Sequence, residues 1–506
     1  MQPTEPYDVC LILEGTYPFV SGGVSTWVHN LIRALPDIRF CAVSIFPSKK
    51  ETRELKYDLP ENFHLAHIAY IHEYDLGAAG TASRRQQRQH VAVIADFHHQ
   101  IKDGDFSQFQ KIVALFQQPE NSGLAVHDLI HGKKAWSFLV EQYSPENNTI
   151  SFIDYFWTFR FTHLPVFKLL GAPIPRARVY HTISTGFAGM LAAMAKHVHQ
   201  RPMLLTEHGI YTKERKIEIA QAEWIYVAGG ERVRVKKDVN AFQQLWINMF
   251  ESLGRMTYQM ADRIFTLYSG NRKLEISEGA DPEKIEIIPN GIDIARFSTL
   301  KPAIFDEAEK SKTRFKVGFV GRVVAIKDVK TFLRACKIVA LQMPSVQFFI
   351  LGPTDEDPQY YQECKELVKL LRLGDGVVFT GRINVMEYYP KLDLLVLTSV
   401  SEAQPLVILE ANCAGIPVVA SDVGSCRELI EGRTRNDRMI GPSGIVTPVA
   451  DPVGTAGGII RILSDPKARE QMALAGRERV GRYYQERDLN RKYDAIYKQY
   501  MSKEEI

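Results

Sequence analysis

Residues 316–329 read Lys316-Val-Gly-Phe-Val320-Gly321-Arg322-Val-Val-Ala-Ile-Lys327-Asp328-Val329. The first five residues have the composition of a short buried strand. Asp328 reads as an N-cap, and Val329, Phe332, Leu333, Cys336 and Val339 recur behind it as the buried stripe of a helix. A strand, a loop with two cations and a helix, in that order, open a βαβ unit. Arg322 and Lys327 therefore fall on a strand-to-helix loop at the carboxyl edge of a parallel sheet, the edge where doubly wound folds bind ligands.

The same rhythm continues downstream. Strands are expected from Gln347 to Leu351, Val377 to Thr380, Leu394 to Thr398 and Pro417 to Ala420, with helices between them. Upstream, Val9 to Leu13 reads as a strand. The loop Ser21-Gly22-Gly23 follows it and opens a helix with Val24, Trp27, Val28, Leu31 and Leu35 on one stripe. Further strands are expected from Cys41 to Phe46, Arg178 to Ile183, Met203 to Thr206 and Arg263 to Leu267.

The fold class is thus α/β, with two Rossmann-like domains facing a central cleft. Residues 1–290 form the first, with helical insertions at about 77–160 and 212–260. Residues 291–483 form the second. The turn-rich segment Glu286-Ile-Ile-Pro-Asn290-Gly291-Ile-Asp293 has the chemistry of a hinge between them. In the tail, 484–506, Leu489, Tyr493, Ile496 and Tyr500 are helically spaced; this helix has no strand partner and must pack on structure already formed. Arg84, Arg85 and Arg88 in the first insertion, and Arg232, Arg234, Lys236 and Lys237 in the second, read first as solvated faces, with docking to a membrane partner or anionic lipid as the sharper alternative.

Composition excludes several classes. A net charge of +3 on 506 residues argues against nucleic-acid binding by bulk charge. The cysteines at 10, 41, 336, 364, 413 and 426 have no CxxC spacing, so neither a zinc site nor a disulfide framework is expected, and reduced buried thiols are. The opening residues Met1 to Pro6 do not read as a secretory signal, and no apolar run reaches eighteen residues. A cytoplasmic protein is the resulting expectation.

The candidate chemistry centres on a diphosphate. Arg322 as a rigid fork and Lys327 as a point charge neutralise such a group as it departs. In Ser401-Glu402-Ala-Gln-Pro405-Leu406-Val407-Ile-Leu-Glu410, Pro405 suits the first turn of a helix and Gly415 its stop. Glu402 then sits on the loop before the helix, and Glu410 lies about 7–8 Å along it. The helix start favours an anion, with Leu406 and Val407 supplying N–H groups because Pro405 has none. His208 ends a strand in the setting Glu207-His208-Gly209. Gly22 and Gly23 open a helix after the first strand, where a backbone approaches a ligand readily. Asp355-Glu-Asp357 reads as helix capping, not a metal motif.

The E-x7-E pair, the preceding G-R-x4-K and the PNGID hinge resemble the large retaining glycosyltransferase group of GT-B architecture, which includes glycogen synthases. The resemblance implies that Gly321, Arg322 and Lys327 hold the donor diphosphate, that Glu402 contacts hexose hydroxyls and Glu410 the ribose, and that the tail helix crosses back to the first domain. It implies no metal ion and no cofactor beyond a nucleotide-sugar substrate. One departure concerns His181-Thr-Ile183, where the group has H-x-H; the second His is missing, so its role is not carried to His181. More narrowly, the segments Leu13 to His29, Thr206-Glu-His208-Gly-Ile-Tyr211 and Ser401-Glu-Ala-Gln-Pro-Leu resemble the cytosolic glycosyltransferases of bacterial Pel exopolysaccharide synthesis. That implies a UDP-sugar donor (UDP-glucose or a UDP-hexosamine), a polysaccharide acceptor, and inner-membrane Pel synthase proteins as partners that recruit the chain to the inner face of the membrane. A non-catalytic nucleotide-sugar-binding subunit, an epimerase and a nicotinamide-dependent oxidoreductase are the alternatives. The last lacks a GxGxxG after the first strand.

Overall fold

The computed structural model describes residues 5–52, 54–73, 79–118, 122–143, 151–221, 241–300 and 315–502. The chain divides into two units. The first comprises 1–266, 272–286 and 493–506, and the second comprises 267–271 and 287–492.

The first unit is built on a sheet of order β3-β2-β1-β4-β5-β6-β7. Its strands are β1 Tyr7–Glu14, β2 Phe40–Phe46, β3 Phe63–Tyr70, β4 Ala177–Thr182, β5 Met203–Glu207, β6 Arg263–Thr266 and β7 Ile285–Ile287. β1 pairs in parallel with β2 on one side, Cys10 opposite Cys41, and with β4 on the other, Cys10 opposite Tyr180. The strand is fully buried from Val9 to Leu13, which is why it reads as a continuous apolar run. β3 was not foreseen. Its Phe-His-Leu-Ala-His-Ile-Ala-Tyr is an edge strand, mostly half-buried, whose two histidines break the apolar signal. β7, three residues at the other edge, overlaps the start of the segment read as a hinge, and the division between the units falls within it, after Glu286 and not at 290.

Between β3 and β4 run the helices Arg84–Gln100, Phe109–Gln117, Val126–His131, Lys133–Gln142 and Phe152–Leu170. They are more than an appendage. Ile94, Phe109, Ile112 and Phe116 join Cys10, Ile12 and Val43 of the sheet in one hydrophobic core. Arg84, Arg85 and Arg88 face solvent. The second insertion gives the helices Tyr211–Gln221 and Ala241–Met260. Its basic cluster, Arg232 to Lys237, lies outside the described residues.

The second unit has a six-stranded sheet of order β10-β9-β8-β11-β12-β13. The strands are β8 Lys316–Val320, β9 Gln347–Leu351, β10 Val377–Gly381, β11 Leu394–Leu397, β12 Val418–Ser421 and β13 Gly444–Thr447, each pairing in parallel with its neighbours. β13 is a four-residue strand beginning with glycine, too short and too mixed to stand out in the sequence. Along β11, Leu394 and Val396 enter one core with Val317 and Phe332, while Leu395 and Leu397 enter the other with Ile408 and Leu409. Alternation into two cores means helices cover both faces, the doubly wound arrangement.

The last helix, Glu486–Met501, serves both units. Ahead of it, Ile292 pairs with Gln485 in the second unit. From Tyr493 onward it belongs to the first, where the Tyr493 hydroxyl meets Thr206 at 2.8 Å and the Tyr497 hydroxyl meets His181 Nδ1 at 2.7 Å.

Candidate active site

The loop after β8 begins with Gly321, whose N–H donates to the Leu351 carbonyl at 3.0 Å. The two strand ends lie close because Gly352 has φ +155°; a Cβ there would stand 2.1 Å from the Gly321 carbonyl oxygen. The loop then makes a short 3-10 turn, Ala325–Lys327, and hands over to the helix Val329–Gln342. Asp328 adopts a left-handed conformation, φ 44°, and its carboxylate accepts from the Thr331 N–H at 3.2 Å, so it is the N-cap. Val329, Phe332, Leu333, Cys336 and Val339 are all fully buried. At about 1.5–3 kcal/mol for each large side chain, that stripe anchors the loop to the sheet.

Lys327 reaches across to the loop after β11 and forms an ion pair with Glu402. The same carboxylate oxygen accepts from the Ser399 hydroxyl at 2.6 Å. Their side chains are only 21% and 12% exposed, so the pair is partly shielded from water and tightly oriented. The Glu402 backbone is held in turn by Gly424, φ +53°, where a Cβ would lie 2.1 Å from the Glu402 carbonyl oxygen. Arg322 stands apart from this cluster. It pairs at 2.7 Å with Glu356, with the two side chains 53% and 40% exposed, so the contact is weak and easily exchanged. The neighbouring Asp357 caps the helix Pro358–Leu370 through the Tyr360 N–H. Among the described residues no group of three or more His, Cys, Asp or Glu is arranged to hold a metal ion.

The helix Leu406–Ala414 starts one residue after Pro405, which is the N-cap and not part of the first turn. Gly415 ends it in the left-handed conformation, φ 78°. Leu406 and Val407 are its first two residues, and Leu406 is exposed. Glu410 accepts from the Tyr389 hydroxyl at 2.7 Å, and burial pushes its carboxyl above the ordinary range. Glu402 and Glu410 therefore have separate partners, one on β8's loop and one beside β11.

His208 lies in the first unit, past the end of β5. It is buried, edge-on to Trp27 with ring centroids 4.7 Å apart, and burial lowers its pKa to about 4, so it is neutral at pH 7. Trp27 is on the helix Gly23–Ala34, so His208 packs against the helix that the Gly22-Gly23 loop opens. Both glycines are exposed, Gly22 is extended, and a Cβ at either would meet nothing within 4 Å. His181 has a structural post: Nδ1 meets Tyr497 and Nε2 meets Thr206 at 2.9 Å.

Several contributors were invisible in the sequence. Ser399 orients Glu402, Glu356 holds Arg322, and Tyr389 holds Glu410. In the first unit Glu14 and Glu207, at the ends of β1 and β5, clamp Tyr211. Its hydroxyl donates to Glu14 at 2.5 Å and its N–H to Glu207 at 3.0 Å. The one available signal was position, since each acid ends a strand at the carboxyl edge.

Residues 7–283 match the family described as "Domain of unknown function (DUF3492)", and residues 301–479 match "Glycosyl transferases group 1". The chain belongs to the DUF3492 family, its residues 301–479 form a domain of the glycosyl transferases group 1 type, and its fold is GT-B. It is similar to the alpha-maltose-1-phosphate synthase of Mycolicibacterium smegmatis, 27% identical over 59% of this chain and 72% of that protein. It is also similar to a D-inositol 3-phosphate glycosyltransferase of Thermomonospora curvata, 26% identical over 40% of this chain and 48% of that one. The chain thus spans about half the length of the latter relative. Solved structures of the same fold include Anabaena HepE in complex with UDP, with a TM-score of 0.58 at 14% identity over 97% of this chain and 99% of that one. The sucrose-phosphate synthase of Thermosynechococcus elongatus gives 0.55 at 17% identity over 97% and 98%.

Proposed function

We propose that the chain transfers a hexose from a UDP-sugar, UDP-glucose or a UDP-hexosamine, to a growing exopolysaccharide with retention of anomeric configuration, as a PelF of Pel exopolysaccharide synthesis. The observation that carries the reading is the Lys327–Glu402–Ser399 cluster at the carboxyl edge of the second sheet, with Arg322 on the same β8 loop. HepE, of the same fold, has been solved with UDP and with UDP and glucose, which favours a uridine donor.

In this reading Arg322 exchanges Glu356 for the donor diphosphate, and Lys327 turns part of its charge to it. Both cations are then in place as charge develops on the leaving group, so the departure needs no metal ion. Glu402, already oriented by Ser399, takes the hexose hydroxyls, and Glu410 takes the ribose. The N–H groups of Leu406 and Val407 face the phosphates, and the Gly321 backbone lines the loop. Neutral His208 is a hydrogen-bonding group toward the sugar, and the open surface at Gly22 and Gly23 admits donor or acceptor. The acceptor hydroxyl attacks from the face that the diphosphate leaves, and a phosphate oxygen takes its proton. Cytoplasmic placement at the inner face of the membrane, beside Pel synthase proteins, belongs to the same proposal.

The test is calorimetric titration with UDP-, GDP- and ADP-sugars, followed by a donor-hydrolysis assay. Tight binding of a UDP-sugar with slow release of UDP supports the reading. Binding with no hydrolysis or transfer to any glycan assigns the chain instead to a non-catalytic binding subunit.

A further inference from the structure

Two neighbouring helices of the first unit turn large apolar side chains to solvent. On Phe152–Leu170 these are Ile153, Trp157 and Phe161, spaced by four and so on one face. On Lys133–Gln142 they are Trp136 and Val140, again four apart. Their exposures are 67%, 47%, 44%, 50% and 43% in that order. The helices meet through Trp136, whose ring lies 5.6 Å from Phe152 and 5.8 Å from Phe156. Together the five side chains present on the order of 500 Å² of apolar surface, a patch of the size that marks an interaction site.

A surface pocket adjoins the patch. Trp136 and Phe156 line it with Lys133, His131 and Arg160, and no acid does. The Arg160 guanidinium also lies over the Trp157 ring at 5.8 Å. The acids of the two helices, Glu141 and Asp154, are outside the pocket, and Asp154 accepts from the Ser151 hydroxyl at 2.7 Å.

We propose that this face rests on an anionic lipid surface, with a headgroup phosphate seated between Lys133 and Arg160 and with Trp136, Trp157, Phe161 and Ile153 reaching the acyl boundary. Exposed tryptophans interleaved with lysine and arginine are the composition of an element that lies in a membrane interface. A polysaccharide would stack on the aromatic rings and leave the exposed aliphatic Val140 and Ile153 unused. Among the described residues no helix is long and apolar enough to cross a membrane.

The inference stands on the first unit alone and is read without any donor, so its failure leaves the transferase reading untouched. The full chain is sedimented with vesicles of phosphatidylcholine, and with vesicles of equal parts phosphatidylcholine and phosphatidylglycerol. Binding to the anionic vesicles, with a blue shift of tryptophan emission, is expected. The double variant Trp157→Ser/Phe161→Ser, altered only at exposed positions, should bind about tenfold more weakly. Arg160→Glu should lose the preference for phosphatidylglycerol. Three results would overturn the proposal: a chain that stays in solution with both vesicles, a double variant that binds like the wild type, or a double variant that merely converts a dimer into a monomer. Full displacement by free glycerol 3-phosphate would also overturn it, by making the pocket a site for a soluble phosphate.

Discussion

The two units share one strand order but differ in what their sheets carry. Each runs third, second, first, fourth, fifth, sixth strand, with the first unit adding β7 at its edge. The first unit holds all fourteen histidines and the two long helical insertions, and the second holds no histidine. The second has short crossovers, and its cations are balanced by carboxylates on neighbouring loops. One scaffold has thus been used twice, once with paired cations and carboxylates on the loops at its strand ends and once for burying neutral imidazoles and carboxyls. The difference teaches that topology sets where a site lies, while the side chains at the strand ends set what it does.

The largest expected effect tests the charge chemistry. Lys327→Ala should lower donor turnover by about a thousandfold, and Arg322→Ala by a similar factor; thermal unfolding should change little in Arg322→Ala and fall in Lys327→Ala, which leaves the shielded Glu402 carboxylate uncompensated. Wild-type turnover in either variant would remove the second unit from the chemistry.

The next tests the imidazoles. Burial lowers His98 and His181 to about 3 and His163 and His208 to about 4. The folded first unit keeps them neutral, whereas the unfolded chain takes up protons below about pH 6.5. The stability they contribute is therefore complete above that pH and lost as pH falls toward 4, on the order of 3 kcal/mol for a group as buried as His208. Hydrogen exchange at pH 7 and pH 4.5 should show the first unit opening first. Equal loss of protection in both units would contradict the comparison.

The buried carboxyls have the opposite sign. Burial, together with Glu275, raises Glu207 well above the ordinary range, and burial, with Glu278 nearby, raises Glu275. Their contribution is complete at acid pH and lost as pH rises through the raised values. Glu275→Gln should raise the melting temperature at pH 8 by a few degrees and leave it nearly unchanged at pH 5. The smallest effect concerns Glu356, which competes for Arg322 in an exposed pair. Glu356→Gln should tighten donor binding about twofold to fivefold in a titration, and weaker binding would show that Glu356 helps to hold the donor.

Much of the second unit was legible because its strands are short and apolar, the central ones β11 and β12 are buried on both faces, and ordinary helices separate them. β8 and its helix combine a five-residue apolar strand, a capping aspartate and a strict helical stripe, and each signal points to the same structure. β3 was missed because an edge strand half open to water tolerates His64 and His67. β13 was missed because four residues starting with glycine carry no periodicity. The pairing of Glu402 with Lys327 was not legible either, since 75 residues separate them.

By itself the sequence determined the α/β class, the parallel sheets, the loop bearing Arg322 and Lys327, and the helix that follows Glu402. These follow from local periodicity, capping and turn chemistry, all acting over a few residues. Only the tertiary structure decided that Glu356 holds Arg322, that Ser399 orients Glu402, that Tyr389 holds Glu410, and that His181 is bound 316 residues away by Tyr497. Spacing along a chain says which face a side chain leaves from; what it meets depends on packing between elements that are distant in sequence.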